Sequence, residues 1–511
     1  LGYQTVWSLL AKQSLVHCDR VFLPEPEDFP ALKERGGELL GFDSLRPARE
    51  AHLVAFAVSF ESDYLNVLSM LRLLGIPPLR KDRTAGHPVL LAGGIGPTLN
   101  PHALTEFFDA IYLGEFEPAA ESFGRLSHAL AMGELSKDEF LMQLRPEDGF
   151  LVPLRPETYG AHPNRLNDLN SAPAWSEFVT PHSEFPNKVL VELERGCPFS
   201  CRFCAAGYAY GASRRLELPL LEKIVDEALE RFGREETSFG LIGGALTEYK
   251  WIVPLARYIA EEKNAKFSLS SMRLKRIDPE LLSLLAKSGQ RQVTVAPETG
   301  SERLRNVIKK NYSDAEVLES VRLAVEAGLS NVKLYSMAGL PTETDDDIRA
   351  LADLARRCRE VMVLAAKGKG RRPGEVIVSV GPFVPKPGTP FERAPFAGEE
   401  VLERRYELLR DLLRREPNTE LRTEGIRNAY LETFLSRLTE ADVPLLLQLH
   451  EHYWNGESLG KMLRAFSSEI DRRVFGWESK DEFAWQSVQD EKTQARLERE
   501  WHAALDGRIS A

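Results

Sequence analysis

Three cysteines stand in one short loop of this chain, Cys197, Cys201 and Cys204, within the stretch "VELERGCPFSCRFCAAGY" at 191–208. The chain holds 5 cysteines in 511 residues. That is too sparse for a disulfide framework, which small secreted domains build densely. Zinc takes four ligands, commonly as two pairs, and no second C-x-x-C or nearby His pair follows within a finger's length of Cys204. Structural thiols sit on apolar faces, whereas these share their loop with Gly196, Pro198 and Arg202. An iron-sulfur cluster suits the pattern better, because thiolates are its usual ligands and a loop of three can wrap one face of a cube. Three ligands for four irons leave one iron open. Such a position can chelate the amino and carboxylate groups of a substrate.

The chain that positions this loop is 43% hydrophobic and 28% charged, and it is long enough for roughly two to four domains with buried cores. Its net charge of -11 argues against a surface built for nucleic-acid phosphates. No apolar run reaches the length of a membrane span and no signal-peptide pattern opens the chain, so a cytoplasmic location is expected. The first residue is Leu1, directly followed by an amphipathic helical pattern, "LGYQTVWSLLAK", which suggests a further segment upstream.

After the cysteine loop, short apolar runs alternate with helical patterns. The runs are "VLVELE" 189–194, "TSFGLIGG" 237–244, "KFSLSS" 266–271, "QVTVAPE" 292–298, "NVKLYSMAGLP" 331–341 and "EVIVSVGPF" 375–383. Helical patterns start at Leu218, Trp251, Pro279, Asp314 and Thr344. This order predicts a parallel sheet, either an open wound sheet or a partial barrel, with too few repeats for a closed eight-stranded barrel. Upstream, "HLVAFAVSF" 52–60, "HPVLLAGG" 87–94 and "DAIYLGEFE" 109–117 alternate with helical stretches at 63–74 and 102–108, like a doubly wound sheet. No G-x-G-x-x-G follows the first of these strands, which removes the dinucleotide reading. Residues 126–186 turn rich in Pro, Asn and Ser and read as a linker. The segment "FVPKPGTPFERAPF" has too many prolines for helix and packs under the barrel mouth in this reading. From Gly398 onward the pattern is helical, with Trp454, Trp477, Trp485 and Trp501 expected in its core. The basic loop "KGKGRRPG" at 367–374 reads as a solvated turn.

"CPFSCRFC" resembles the C-x3-C-x-aromatic-C signature of radical S-adenosylmethionine (SAM) enzymes, with the flanking "RG" also in agreement. The resemblance implies that Cys197, Cys201 and Cys204 hold a [4Fe-4S] cluster whose fourth iron binds SAM, and that Phe203 packs beside it. It selects a partial (β/α)6 barrel over 187–390, with cofactors at the C-terminal strand ends. Gly243 and Gly244 stand where the family usually carries Gly-Gly-Glu, although the third residue here is Ala245. Ser271 and Arg273 follow the third strand, and Glu298 follows the fourth, where its carboxylate would accept from ribose hydroxyls. Gly339 would let the backbone approach adenine.

The upstream part, 1–125, resembles the Rossmann-like cobalamin-binding domain found ahead of many radical SAM cores, its first strand lying upstream of Leu1. In that comparison Ser59 follows a strand, Gly93 and Gly94 face the nucleotide tail, and Gly114 with Glu115 closes the site. No D-x-H-x-x-G occurs, so the usual histidine ligand to cobalt either lies upstream or is not used. A linker at 126–186 and a helical C-terminal domain at 391–511 complete the α/β organisation. The proline-rich segment is also similar to one in an uncharacterised group of cobalamin-binding radical SAM proteins.

These resemblances imply an enzyme that cleaves SAM to a 5'-deoxyadenosyl radical, takes its electron from an external flavodoxin or ferredoxin, and transfers a methyl group from cobalamin to an unactivated carbon. Alternatives are cyclisation or rearrangement, methylthio transfer, and a cluster that only senses or relays electrons. Methylthio transfer needs three further cysteines for a second cluster, and Cys18 stands alone upstream. The substrate is read by pocket shape, which a sequence does not display.

Overall fold

The computed structural model describes residues 1–507 except 15, 35–36, 235–236, 270–271, 274–276 and 476–481. Ser271 and Trp477 therefore lie outside the described residues. Three parallel strands open the fold: β1 (Leu53–Ala57), β2 (Val89–Gly93) and β3 (Ala110–Tyr112), side by side in that order. Val89 to Ala92 are all buried, as expected of a strand covered on both faces. The helix Asp63–Leu74 covers one of those faces with Tyr64, Leu65, Leu68 and Leu71, and ends on Gly75 at φ +68°, a left-handed cap that glycine adopts without strain.

A short antiparallel strand, β4 (Phe150–Leu151), pairs with β3. The helices leading to it, Ala120–Ala131 and Lys137–Gln143, bury Phe123 and Phe140 beside Phe150 in the core of this first sheet. The N-terminal unit thus runs well past residue 125, and part of the expected linker belongs to it. Two residues of strand are too few to leave a periodic signal. Farther on, 174–176 pairs with 190–192, where the Ser176 N–H donates to Leu190 O at 2.9 Å and the Glu192 N–H to Ala174 O at 3.0 Å.

The second sheet system begins with β5 (Lys188–Glu192), followed by the hairpin β6 (Glu194–Arg195) and β7 (Arg214–Arg215), whose connection is the cysteine loop. Then come β8 (Ser238–Ile242), β9 (Lys266–Leu269), β10 (Gln292–Glu298), β11 (Asn331–Ala338), β12 (Val376–Pro382) and β13 (Thr419–Thr423). The strands β5-β8-β9 and β10-β11-β12-β13 form two parallel runs, joined by a bridge between Met272 and Val295. The six expected strands are present, and β13 adds a seventh inside the region read as helical. Its sequence, TELRT, is an edge strand marked by the exposed charges Glu420 and Arg422. Those charges hid it, because they continue the Glu/Arg-rich pattern of the preceding helix Glu399–Leu413.

The C-terminal helices pack back onto the first sheet. Helix Val443–Trp454 lies against helix Asp63–Leu74, where His450 Nε2 meets Ser69 Oγ at 3.1 Å and Arg72 pairs with Glu451 at 2.9 Å. His102 bridges the same two regions, with Nδ1 at 2.8 Å from Glu440 and Nε2 at 2.8 Å from Ser487. One continuous apolar core runs from Val58 through Val332 to Leu449. Among the described residues no helix is long and apolar enough to cross a membrane.

Burial holds the His450 imidazole neutral down to about 4, against opposition from Glu451. The unfolded chain takes up that proton near 6.5 and the folded chain only near 4, so stability falls as pH drops through this window. The expected slope is about 1.4 kcal/mol per pH unit. His450→Asn should flatten that part of the urea-midpoint profile between pH 7 and 4.5, and an unchanged slope would remove His450 as its source.

Candidate cofactor site

The cysteine loop is seated by two glycines. Gly196 has φ +83°, and a β-carbon there would lie 2.7 Å from Gly211 O and 2.8 Å from Ala212 O. Gly244, at the end of β8, presses on the loop so closely that a β-carbon would meet Gly196 O at 2.8 Å and Cys197 Sγ at 3.6 Å. The expected Gly-Gly pair is therefore beside the first cysteine, with Gly243 filled in by Leu246 and Glu194. Cys197, Cys201 and Cys204 are free thiols, Cys201 buried and the others half-buried. Burial pushes Cys197 upward and Cys204 to about 11, and the neighbouring cysteines push each further. A cluster would take these thiols as thiolates and so offset the cost that burial sets on their charge. Among the described residues no three Cys, His, Asp or Glu side chains converge on a point where a single ion would sit.

The residues between the ligands anchor the loop. Arg202 is wholly buried, with its Nη1 donating to Val307 O at 2.8 Å and its Nε to Glu500 at 2.9 Å. Phe203 enters an apolar cluster with Val307, Ile308, Met337 and Phe391.

Facing the loop, Glu298 ends β10 at φ +67°, a left-handed conformation rare for a long side chain, just after a break in the strand register. It is buried and ion-paired with Lys310, whose ammonium stands 6.0 Å from the Phe203 ring. The loop that presents Lys310 is strained as well, with Lys309 at φ +59° and Asn311 at φ +37°. Arg273 lies 3.3 Å over the Phe199 ring, and its buried Nε makes no hydrogen bond among the described residues. The Tyr335 hydroxyl donates to Glu424 at 3.3 Å, and burial together with Glu424 and Glu298 pushes that phenol up to about 12. The structure thus gathers Gly244, Arg273 and Glu298 around the cysteines.

Gly339 makes a close approach within the protein. At φ +93° its missing β-carbon makes room for Ala397, which would be 2.9 Å away, and its N–H donates to Glu343 at 2.6 Å. The close approach it permits is to the segment before helix Glu399–Leu413. Lys310, Glu343 and Tyr335 were missed by sequence reasoning. The turn residue Asn311 beside two lysines was the available signal for the first. Burial pushes the Glu343 carboxyl up to about 7 beside Arg405.

In the first sheet, Ser59 and Gly94 lie exposed just beyond β1 and β2. Gly94 has φ +119° and a β-carbon there would collide with Val58 O at 2.3 Å, whereas one at Gly93 would make ordinary contact with Tyr112 at 3.7 Å. Gly114 and Glu115 are taken up by protein. A β-carbon on Gly114 would sit 2.2 Å from Asn164 O, and Glu115 pairs with Arg214 at 2.6 Å and Arg195 at 3.1 Å. Those pairs join the C-terminal end of β3 to the hairpin beyond β5. Likewise Lys386, beyond β12, bridges Glu61, beyond β1, and Glu432 at 2.6 Å each. The C-terminal strand ends of the two sheet systems therefore face one another, and parallel sheets bind ligands at those ends.

Two family models match the chain: "Radical SAM proteins, N-terminal" over residues 2–153 and "Radical SAM superfamily" over 191–355. The chain belongs to the radical SAM proteins. An uncharacterised protein of Methanocaldococcus jannaschii is 27% identical over 67% of this chain and 68% of its own length. The threonylcarbamoyladenosine tRNA methylthiotransferase of Rickettsia prowazekii is 23% identical over 48% of this chain, which spans 57% of that relative. Among solved structures, the radical SAM methyltransferase TsrM of Kitasatospora setae is similar in fold, with a TM-score of 0.50 and 16% identity over 78% of this chain and 72% of TsrM. As a radical SAM protein, the chain works with a [4Fe-4S] cluster and SAM. The residues present fit both groups: three free thiols in one loop, a glycine clearing Cys197, and a buried Arg273 nitrogen with no hydrogen-bond partner among the described residues.

Proposed function

We propose that this protein is a cobalamin-dependent radical SAM enzyme that transfers a methyl group to an unactivated carbon. The observation that carries the reading is the opposition of the two sets of strand ends, tied by Glu115 to Arg195 and Arg214 and by Glu61 to Lys386. Two ligand-binding edges aimed at one space suit a reaction that needs two cofactors and a substrate between them. When bound, the cluster supplies the electron that cleaves SAM to methionine and a 5'-deoxyadenosyl radical, and cobalamin supplies the methyl group.

In this reading Cys197, Cys201 and Cys204 hold the cluster. Arg273 and Lys310 supply positive charge beside the cysteine loop, suited to the SAM carboxylate. Glu298 accepts from the ribose hydroxyls, kept in a strained backbone that a free strand end would not adopt. The exposed Ser59 and Gly94 border the cobalamin tail, and Gly93 lines the strand behind it. Gly114 and Glu115 hold the two units at their spacing instead of touching the corrin. Phe203 and its apolar neighbours keep water from one side of the cluster.

Methylthio transfer is the second reading, favoured by the methylthiotransferase relative. Against it, Cys18 is the one cysteine ahead of Cys197 in these residues, where a second cluster would need three.

The test is cobalt and iron content after reconstitution with hydroxocobalamin under anaerobic conditions. The wild-type chain should hold about one cobalt beside about four irons. Ser59→Trp crowds the exposed strand end without touching the core, and should weaken cobalamin retention at least about tenfold while iron stays unchanged. A chain that takes up iron but no cobalt would leave a radical SAM enzyme without the methylation chemistry.

A further inference from the structure

The helix Glu491–Leu505 lies outside both matched segments, yet one of its faces is turned onto the cysteine loop. Glu500 is 7% exposed. One of its oxygens accepts from Arg202 Nε at 2.9 Å, and the other from Lys309 Nζ at 2.7 Å. Arg202 stands between the ligands Cys201 and Cys204, and its own backbone N–H donates to Ile308 O at 3.1 Å. Lys309 directly precedes Lys310, the partner of Glu298. Two further residues of the helix repeat the contact. The Arg496 guanidinium lies 5.0 Å over the ring of Tyr208, whose hydroxyl donates to Ser200 O at 3.2 Å. Trp501 packs edge-on against Phe391 at 6.0 Å, in the apolar cluster that receives Phe203. Arg496 and Glu500, one turn apart, lie on the side of the helix that meets the loop, and Trp501 flanks them.

We propose that Glu500 is a positioning residue for the iron-sulfur cluster, joining the loop of Cys201 and Cys204 to the strained loop that presents Lys310, so that the C-terminal helix governs both iron retention and SAM affinity. This rests on the radical SAM reading of the cysteines. A carboxylate whose two oxygens each hold a cation from a different loop fixes the register between those loops, and a buried charge left without its partner drives local rearrangement. When Glu500 is removed, Arg202 and Lys309 each lose the partner they share, and the register of the cysteine loop against the loop that presents Lys310 loosens.

The experiment uses the full chain, reconstituted anaerobically, as wild type, Glu500→Ala, Glu500→Gln and, as a control, the exposed Glu498→Ala on the same helix. Iron and sulfide per chain, the rate of iron loss to a ferrous chelator, and kcat and KM for SAM cleavage are measured. Glu500→Ala should reconstitute fully but lose iron about tenfold faster, with SAM KM raised about fivefold, since it acts on the cluster and on SAM through Arg202 and Lys309 and touches neither. Glu500→Gln, which keeps the shape and loses the charge, should fall between it and wild type, and Glu498→Ala should match wild type. If Glu500→Ala does not fold, Glu500→Gln decides by the same two rates. Wild-type chelation and KM in a folded Glu500 variant would overturn the proposal. A wild-type chain that takes up no cluster would instead overturn the radical SAM reading, which distinguishes the two failures.

Discussion

Replacing Cys197, Cys201 and Cys204 together by alanine leaves a folded chain that takes up no [4Fe-4S] cluster and forms no 5'-deoxyadenosine from SAM. The fold survives because the loop is seated by other contacts: Gly244 against Gly196, Arg202 on Val307 O and Glu500, and Phe203 in its apolar cluster. None of these uses a sulfur. Burial keeps two of the thiols neutral in the apo protein, so alanine removes no buried charge and costs only the packing of small sulfur atoms. The wild type should reach about four irons and four sulfides per chain, and the triple variant none above background. Retained reductive cleavage in the variant, measured by chromatography of 5'-deoxyadenosine, would sink the assignment of the loop.

The second large effect is expected at Glu298. Glu298→Gln should raise the KM for SAM by a factor of roughly 5 to 150, which corresponds to losing one or two charge-assisted hydrogen bonds worth about 1 to 3 kcal/mol, while iron content stays unchanged. Part of the effect is indirect, because Lys310 loses its buried counter-charge. The double variant Glu298→Gln with Lys310→Met separates the two contributions. If Glu298 touches SAM, the double variant binds it no better than the single one. Recovery of SAM affinity in the double variant would show that the unpaired Lys310 ammonium, and not a lost contact from Glu298 to SAM, raised the KM. An unchanged KM in the single variant would take Glu298 out of the site altogether.

Much of this protein was legible in one dimension because its chemistry is local. Cys197, Cys201 and Cys204 need only the spacing of one loop to share a cluster, so three thiols and their flanking glycine and aromatic residue carried the cofactor reading. The parallel sheets were equally legible, since each strand and the helix after it bury their own apolar faces. That leaves the alternating runs from Val189 to Phe383, and the helix Asp63–Leu74 at the bounds its periodicity predicts. Where the signal was weak, the reason is physical. β4 is two residues long, and β13 is an edge strand whose exposed charges read as helix.

What the linear order left open are the contacts that join distant stretches. Glu115 looked like a ligand-site residue at a strand end, and only the fold brings Arg195 and Arg214, 80 and 99 positions away, onto its carboxylate. Gly339 carried the mark of a close approach, but the partner it approaches, Ala397, is chosen by the packing of a helix that follows it. Glu500 sits 298 residues from Arg202 in a helix whose sequence reads as an ordinary amphipathic surface element. A buried ion pair has no sequence period, because the attraction between its charges is strong only where water has been excluded, and that exists only once the chain has closed over them.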